Sequence, residues 1–242
     1  MNLIIDAGNT RVKVAVFELD TLVDVVFFDQ NIFLSEIKKL LKKHKIEQGI
    51  LASVSFLSEK KIEKLKSIVN LIILSAETKV PFINLYETPT TLGVDRIALV
   101  CGAVKKFPEK NILVIDAGTC ITYDFVNDKS EYFGGAISPG IEMRYKALNT
   151  FTSKLPFLEK NYPEDFIGKN TRESMNSGVV NGVLQEIEGV INQYKNKFIH
   201  LTVVLTGGDT NFLSKQLKSS IFAHQNFLLE GLNEILIFNK NK

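Results

Sequence analysis

One tripeptide, set twice at the end of an apolar run, constrains this chain more than any other feature. Leu3-Ile4-Ile5 leads into Asp6-Ala7-Gly8 and Asn9, and Leu113-Val114-Ile115 leads into Asp116-Ala117-Gly118 and Thr119. A second apolar stretch follows each turn, Val12 to Phe17 and Ile121 to Val126. Short β-rich runs bounded by a polar glycine turn predict a β-hairpin. The same hairpin in each half of the chain predicts a duplicated folding unit. The first turn is chemically loaded. Gly8 lets backbone come close to a ligand, Asn9 and Thr10 supply donors, Asp6 brings a carboxylate, and Lys13 lies just inside the returning strand. Such a set suits a nucleotide phosphate with its metal ion; it would also serve as the polar tip of an ordinary hairpin.

The chain between and beyond the hairpins alternates in period. Leu22 to Phe28 reads as a third strand, and Phe33 to His44 as a helix with Phe33, Ile37, Leu40 and Leu41 on one face. Gly49 to Val54 is a buried strand, Ser58 to Val69 a helix with Ser58 as N-cap, and Leu71 to Leu74 another strand. This order predicts an α/β layer. Ser75 to Leu92, with Pro81 and Pro89, is irregular and opens on Gly93-Val94-Asp95-Arg96 and an apolar helix to about Phe107. Pro108-Glu109-Lys110 then breaks the chain, which predicts domains over 1–110 and 111–242. In the second half, helices are expected over Ile141 to Thr150, Thr171 to Tyr194 with Thr171 as N-cap, Thr210 to Leu217 capped by Asp209, and Phe227 to Phe238. Leu201 to Leu205 is a strand ending in Thr206-Gly207-Gly208-Asp209, a third glycine turn.

Composition excludes several classes of function. A net charge of +2 gives no polyanion binder, and the basic run Lys38 to Lys45 carries apolar residues at helical spacing, as a solvated helix face does. No nucleic-acid partner is expected. No apolar run reaches the roughly 18 residues of a membrane span, and the opening residues lack a basic leader region. Cys101 and Cys120 have neither metal-ligand nor disulfide spacing and read as buried thiols, so a reducing cytoplasm is expected. His44, His200 and His224 are scattered, with no nucleophilic triad near them.

Ligands of open α/β sheets gather beyond the carboxyl ends of strands, where all three glycine turns fall. No Walker sequence is present. A phosphoryl transferase needs positioning, charge neutralisation and often a carboxylate base. Asp6 and Asp116 suit ion binding. Asp95, between Gly93 and Arg96 at the mouth of a helix, suits the base; an aspartate favoured there by the helix dipole is the structural alternative.

These residues carry a resemblance. Asp6-x-Gly8-Asn9-Thr10-x-x-Lys13, Tyr86-x-x-Pro89-x-x-Leu92-Gly93-x-Asp95-Arg96 and Asp116-x-Gly118-Thr119-x-x-Thr122 look like the signature set of type III pantothenate kinases. Gly134-Gly135-x-Ile137-x-Pro139-Gly140, Gly168-x-Asn170-Thr171 and Thr206-Gly207-Gly208-Asp209 follow in the same order. Thr88 before Pro89, where the family commonly has Asn, and Ser153 after Thr152, where it often has Ala, are departures that leave the chemistry untouched.

The resemblance implies the acetate and sugar kinase/Hsp70/actin superfamily: two RNase H-like α/β domains of duplicated topology, with ATP in the cleft between them. It implies ATP-dependent phosphorylation of pantothenate, the first step of coenzyme A synthesis. Asp6, Ala7, Gly8, Asn9, Thr10, Arg11, Val12 and Lys13 match the ATP phosphate segment, and Thr119 also matches an ATP position. Gly93, Val94, Asp95, Arg96 and Thr171 match pantothenate positions, with Tyr86 nearby, and Asp95 matches the proton acceptor. Asp116 matches the ligand of a monovalent cation, potassium or ammonium, while Asp6 would hold magnesium through water. A homodimer is implied too. A non-catalytic transcriptional accessory protein of the same fold is the rival reading, and a sugar or acetate kinase a second; the intact Asp95 and the Leu92-Gly93-x-Asp95-Arg96 segment argue against them.

Overall fold

The structure is a computed structural model, which describes residues 1–8, 11–53 and 57–240. The chain forms two compact units, Met1–Pro108 with Asn226–Lys242, and Glu109–Gln225. In the first unit, strands β1 (Asn2–Ala7), β2 (Val12–Glu18), β3 (Thr21–Phe28), β4 (Gln48–Ser53) and β5 (Asn70–Ile73) form a sheet of order β3-β2-β1-β4-β5. β1 runs antiparallel to β2 and parallel to β4. Leu3, Ile5 and Ala7 face the same side as Val12, Val14 and Val16, and all six are buried. Helix α1 (Phe33–Lys43) covers that side with Phe33, Ile37 and Leu40, and α2 (Glu59–Lys66) with Leu65. Apolar side chains three and four apart on a helix meet alternate residues of a strand, which is the pattern the sequence carries. A short strand β6 (Ile83–Asn84) precedes helix α3 (Val94–Lys106).

The other side of β1 meets α7 (Phe227–Lys240), which also packs along α3. Division at 110/111 puts this closing helix with the second half, whereas its contacts lie with the first unit. Two features fix it there. Gly102 and Gly231 meet at the helix crossing, where a Cβ on Gly231 would lie 1.9 Å from the Ala98 carbonyl. A buried amide chain also runs from Gln48 Nε2 to Asn2 Oδ1 (2.9 Å) and from Asn2 Nδ2 to Asn233 Oδ1 (2.8 Å), and Asn233 Nδ2 donates to the Leu19 carbonyl. Hydrophobicity cannot set the register of a helix on a sheet so closely; directional bonds in a dry interior can.

In the second unit, β7 (Ile112–Ala117), β8 (Cys120–Val126), β9 (Glu131–Pro139), β10 (Thr202–Thr206) and β11 (Phe222–Ala223) take the order β9-β8-β7-β10-β11. That is the connectivity of the first sheet, strand for strand, so the repeated Asp-Ala-Gly does mark repeated topology. Leu113, Ile115, Tyr123, Val203 and Leu205 pack against α4 (Ile141–Thr150) and α5 (Thr171–Lys197) through Ile141, Tyr145, Val180, Val183 and Ile187.

Several local expectations change. β9 is a full strand that its glycines conceal: Gly134 has φ +98°, and a Cβ on Gly135 would lie 1.5 Å from the Tyr123 carbonyl. The cap of α5 is Asn170, whose side chain accepts from Glu173 N at 3.0 Å, and Thr171 is the first helical residue. Ser58 precedes α2 without a capping bond from its side chain. Helix α6 stops at Leu213 (Thr210–Leu213), and Asp209 gives its carboxylate to Lys160 in place of the helix. Cys101 is buried as expected, but Cys120 is only partly so. Val54, read as the end of a strand, lies outside the described residues.

Candidate functional site

In the first unit, β-sheet register builds the polar end of β1. Asp6 is the cross-strand partner of Lys13, and Lys13 the partner of Phe27 on β3. The Lys13 ammonium stands 5.2 Å from the centre of the Phe27 ring, which holds the cation beside the sheet. Ala7 and Val12 close the ladder and are buried, Gly8 and Arg11 flank the turn, and Asn9 and Thr10 lie outside the described residues.

Asp6 is pushed up to about 6, chiefly by burial and further by the negative charge of Asp95, with Lys13 opposing. Two carboxylates from distant parts of the chain therefore share one electrostatic neighbourhood. Asp95 stands in the first turn of α3, where its Oδ1 accepts from Arg96 N at 2.8 Å. Gly93 makes room for it, since a Cβ there would sit 2.4 Å from that oxygen. Val94 opens the helix. Arg96 is buried, with its guanidinium 5.5 Å from the centre of the Tyr86 ring, so Tyr86 and Arg96 form a cation–π pair.

In the second unit the strand ends carry a different set. Asp116 is the register partner of Thr122 on β8 and of Thr206 on β10, so three oxygen-bearing side chains share one face of the sheet. The Thr122 and Thr206 hydroxyls are buried and have no hydrogen-bond partner among the described residues. Around them the glycine turns press together. Gly207, at φ +96°, lies so close that a Cβ would fall 2.3 Å from both the Ala117 carbonyl and Asp116 Oδ1. Asp209 N donates to the Ala117 carbonyl at 2.9 Å, and Gly140 N to that of Thr119 at 3.0 Å. Thr171 is exposed in the first turn of α5.

The segment before α5, Leu155 to Ile167, reads in the sequence as a loop with Pro156 and Pro163, and its contacts are not legible there. Lys160 pairs with Asp209, and Tyr162 stacks on Phe212 at 4.2 Å while its hydroxyl donates to the Phe212 carbonyl. No spacing rule announces such a strap, because its partners lie about 50 residues away. Among the described residues, no three His, Cys, Asp or Glu side chains cluster as a metal site. The oxygen set of Asp116, Thr122 and Thr206 suits a weakly held alkali cation, and the Asp6 carboxylate suits contact with hydrated magnesium.

Two five-stranded units of one connectivity, each turning at Asp-Ala-Gly, place the chain among proteins built like the sugar kinases. A ROK family glucokinase from Streptomyces griseus, solved with glucose and AMPPNP, superposes with a TM-score of 0.54 at 9% identity, over 100% of this chain and 99% of its own. A protein from Campylobacter jejuni described as a Baf family transcriptional activator gives 0.65 at 24% identity, over 99% and 100%. At such identities the likeness is one of fold.

Sequence goes further. The type III pantothenate kinase family profile matches residues 2–193. The type III pantothenate kinase of Flavobacterium psychrophilum is 48% identical over 241 residues, 99% of this chain and 100% of that one. The chain belongs to the type III pantothenate kinase family.

Proposed function

We infer that this protein transfers the γ-phosphoryl group of ATP to the primary hydroxyl of pantothenate, giving 4'-phosphopantothenate and ADP, the first step of coenzyme A synthesis. Family membership supports the reaction, and the observation that carries the site is the coupling of Asp6 to Asp95. A nucleotide held at Asp6 would present its terminal phosphate within the field of a carboxylate that stands on another element. Asp95 is then the proton acceptor. The substrate hydroxyl oxygen forms a bond to the γ-phosphorus, the bond from that phosphorus to the β-bridging oxygen breaks, and the hydroxyl proton passes to Asp95.

The remaining roles follow the chemistry of each group. Residues Asp6 to Lys13 line the phosphates, with the Lys13 ammonium offsetting their charge, and Thr119 meets ATP from the second unit. Tyr86, Gly93, Val94, Arg96 and Thr171 bind pantothenate, whose carboxylate makes the Arg96 guanidinium its natural partner. Magnesium, contacted by Asp6 through water, and a monovalent cation on Asp116 would neutralise the crowded β- and γ-phosphates. The fit of the latter rests on the buried Thr122 and Thr206 hydroxyls beside Asp116.

The transcriptional accessory reading is not favoured: relatives similar over the full chain are named as kinases. The active form is a homodimer in the cytoplasm. Phe151 and Phe166 stand 86% and 77% exposed on the second unit, apolar surface that a second copy would cover. Among the described residues no helix is long and apolar enough to cross a membrane. The test is coupled ADP release from purified protein with ATP, magnesium and potassium or ammonium. Turnover that starts on adding pantothenate is the expected result, and a folded protein that releases no ADP would overturn the assignment.

A further inference from the structure

The Gly134-Gly135-x-Ile137-x-Pro139-Gly140 segment carries none of the groups of the phosphoryl transfer, yet its far end touches the Gly118-Thr119 turn of the second unit. Gly140 N donates to the Thr119 carbonyl at 3.0 Å, and a Cβ on Gly140 would lie 2.0 Å from the Gly118 carbonyl. Backbone therefore rests on backbone, and the junction of β9 with α4 sets where the Gly118-Thr119 turn can lie.

One side chain grips that junction from behind. Arg144 Nε donates to the Pro139 carbonyl at 2.9 Å, and the same guanidinium reaches Ser138 Oγ at 3.0 Å. It also pairs with Glu186 of α5 at 2.5 Å, and Glu186 accepts in turn from the Tyr123 hydroxyl of β8 at 2.8 Å. Burial alone would raise the Glu186 carboxyl; hydrogen bonds from Arg144, Ser138 and Tyr123 outweigh it and hold it below the usual range. The two side chains are 23% and 28% exposed, so the pair is sheltered from solvent far more than a surface ion pair. A planar guanidinium can meet a carbonyl, a hydroxyl and a carboxylate at once, which an ammonium cannot.

We propose that Arg144 and Glu186 are positioning residues for ATP: they fix the Ser138–Gly140 junction to the long helix α5, and through Gly140 they hold the Gly118-Thr119 turn at the distance the nucleotide needs. This rests on the reading of Thr119 as an ATP contact. The pair touches no substrate itself. Its loss should loosen nucleotide binding and change pantothenate recognition little, since Tyr86 and Gly93 to Arg96 lie in the first unit and Thr171 stands about four helical turns from Glu186 on α5.

The experiment measures the Kd of magnesium-AMPPNP by calorimetry, the KM for pantothenate and the melting temperature, for wild type, E186Q, R144Q and I187V. Ile187 is fully buried next to Glu186 on α5, so I187V reports a purely structural loss. The expected result is an AMPPNP Kd weakened about tenfold in E186Q and R144Q, a pantothenate KM within about twofold of wild type, and an I187V that melts lower at unchanged Kd. R144K should recover only part of the loss. Unchanged Kd in folded E186Q and R144Q would overturn the proposal, as would a Kd that follows melting temperature through all variants, I187V included. Absence of pantothenate turnover in wild type would instead sink the kinase reading, while the AMPPNP comparison would still decide the role of the pair.

Discussion

Asp6 and Lys13 face each other across the β1–β2 ladder, so a carboxylate and an ammonium stand side by side at the end of the first hairpin. Attraction between them favours the ionised carboxyl, yet Asp6 is raised from 3.8 to about 6 because burial and the charge of Asp95 outweigh Lys13. The site thus carries negative charge at a cost in stability, as expected of groups arranged for a ligand rather than for folding.

The sign of that cost is testable. Asp6 is raised in the folded state, so between pH 3.8 and about 6 the folded protein binds more protons than the unfolded one. Stability from this group is present below that window and is lost as pH rises through it. Asp6→Asn should therefore stabilise the protein at pH 7, by about 1–2 kcal/mol after allowing for solvent screening, and leave stability below pH 4 unchanged. Urea unfolding at both pH values checks this, and the variant should lose most of its kinase activity. In wild type, kcat/KM for ATP should fall as pH drops through about 6.

Removing the proposed base should separate chemistry from binding. Asp95→Asn should lower kcat by a factor of about 10²–10⁴ while nucleotide binding stays near wild type. Because Asp95 helps to raise Asp6, the same substitution should bring the Asp6 pKa down, which carboxyl NMR titration would record. A variant with unimpaired turnover would remove Asp95 from its role.

The cation reading has its own readout. Asp116→Asn should abolish stimulation by potassium or ammonium. Thr206→Val keeps the shape of a fully buried side chain whose hydroxyl has no partner among the described residues, so stability should change by less than about 1 kcal/mol. The potassium concentration needed for half-stimulation should nonetheless rise. A Thr206→Val enzyme with unaltered potassium dependence would take that hydroxyl out of the site.

Asn233 tests what holds the closing helix. Asn233→Ala would leave the buried amide of Asn2 without its acceptor and remove a partly buried bond to the Leu19 carbonyl, at about 1–3 kcal/mol. Chemical denaturation should show that loss with little change in pantothenate KM. A surface role for Asn233 would give less than about 0.5 kcal/mol.

Much of this architecture was legible in the sequence because it is local. Strand and helix periods near Leu3, Phe33 and Ile141 are written in adjacent residues, and the Asp-Ala-Gly repeat marks equivalent strands, the five of each unit following one order. β9 escaped because Gly134 and Gly135 lack the side chains on which a period-two pattern depends; Gly135 answers to the Tyr123 backbone and Gly134 to a positive φ, not to strand propensity. Thr171 looked like a cap, as any threonine before a helix does, and only the Asn170 bond to Glu173 N separates the two.

The sequence by itself determined the chemistry available: which strand ends would carry Asp6, Asp116 and the glycines, and which helix mouth would carry Asp95. The tertiary structure alone decided which groups act on one another. Asp6 feels Asp95 from 89 positions away, counting from residue 6 to residue 95, Arg144 finds Glu186 on another helix, and α7 joins the unit that began the chain. Hydrophobic periodicity says that a face is buried but not against what. Electrostatic coupling, amide networks and glycine contacts depend on separations of a few ångströms, and these exist only once distant segments have packed.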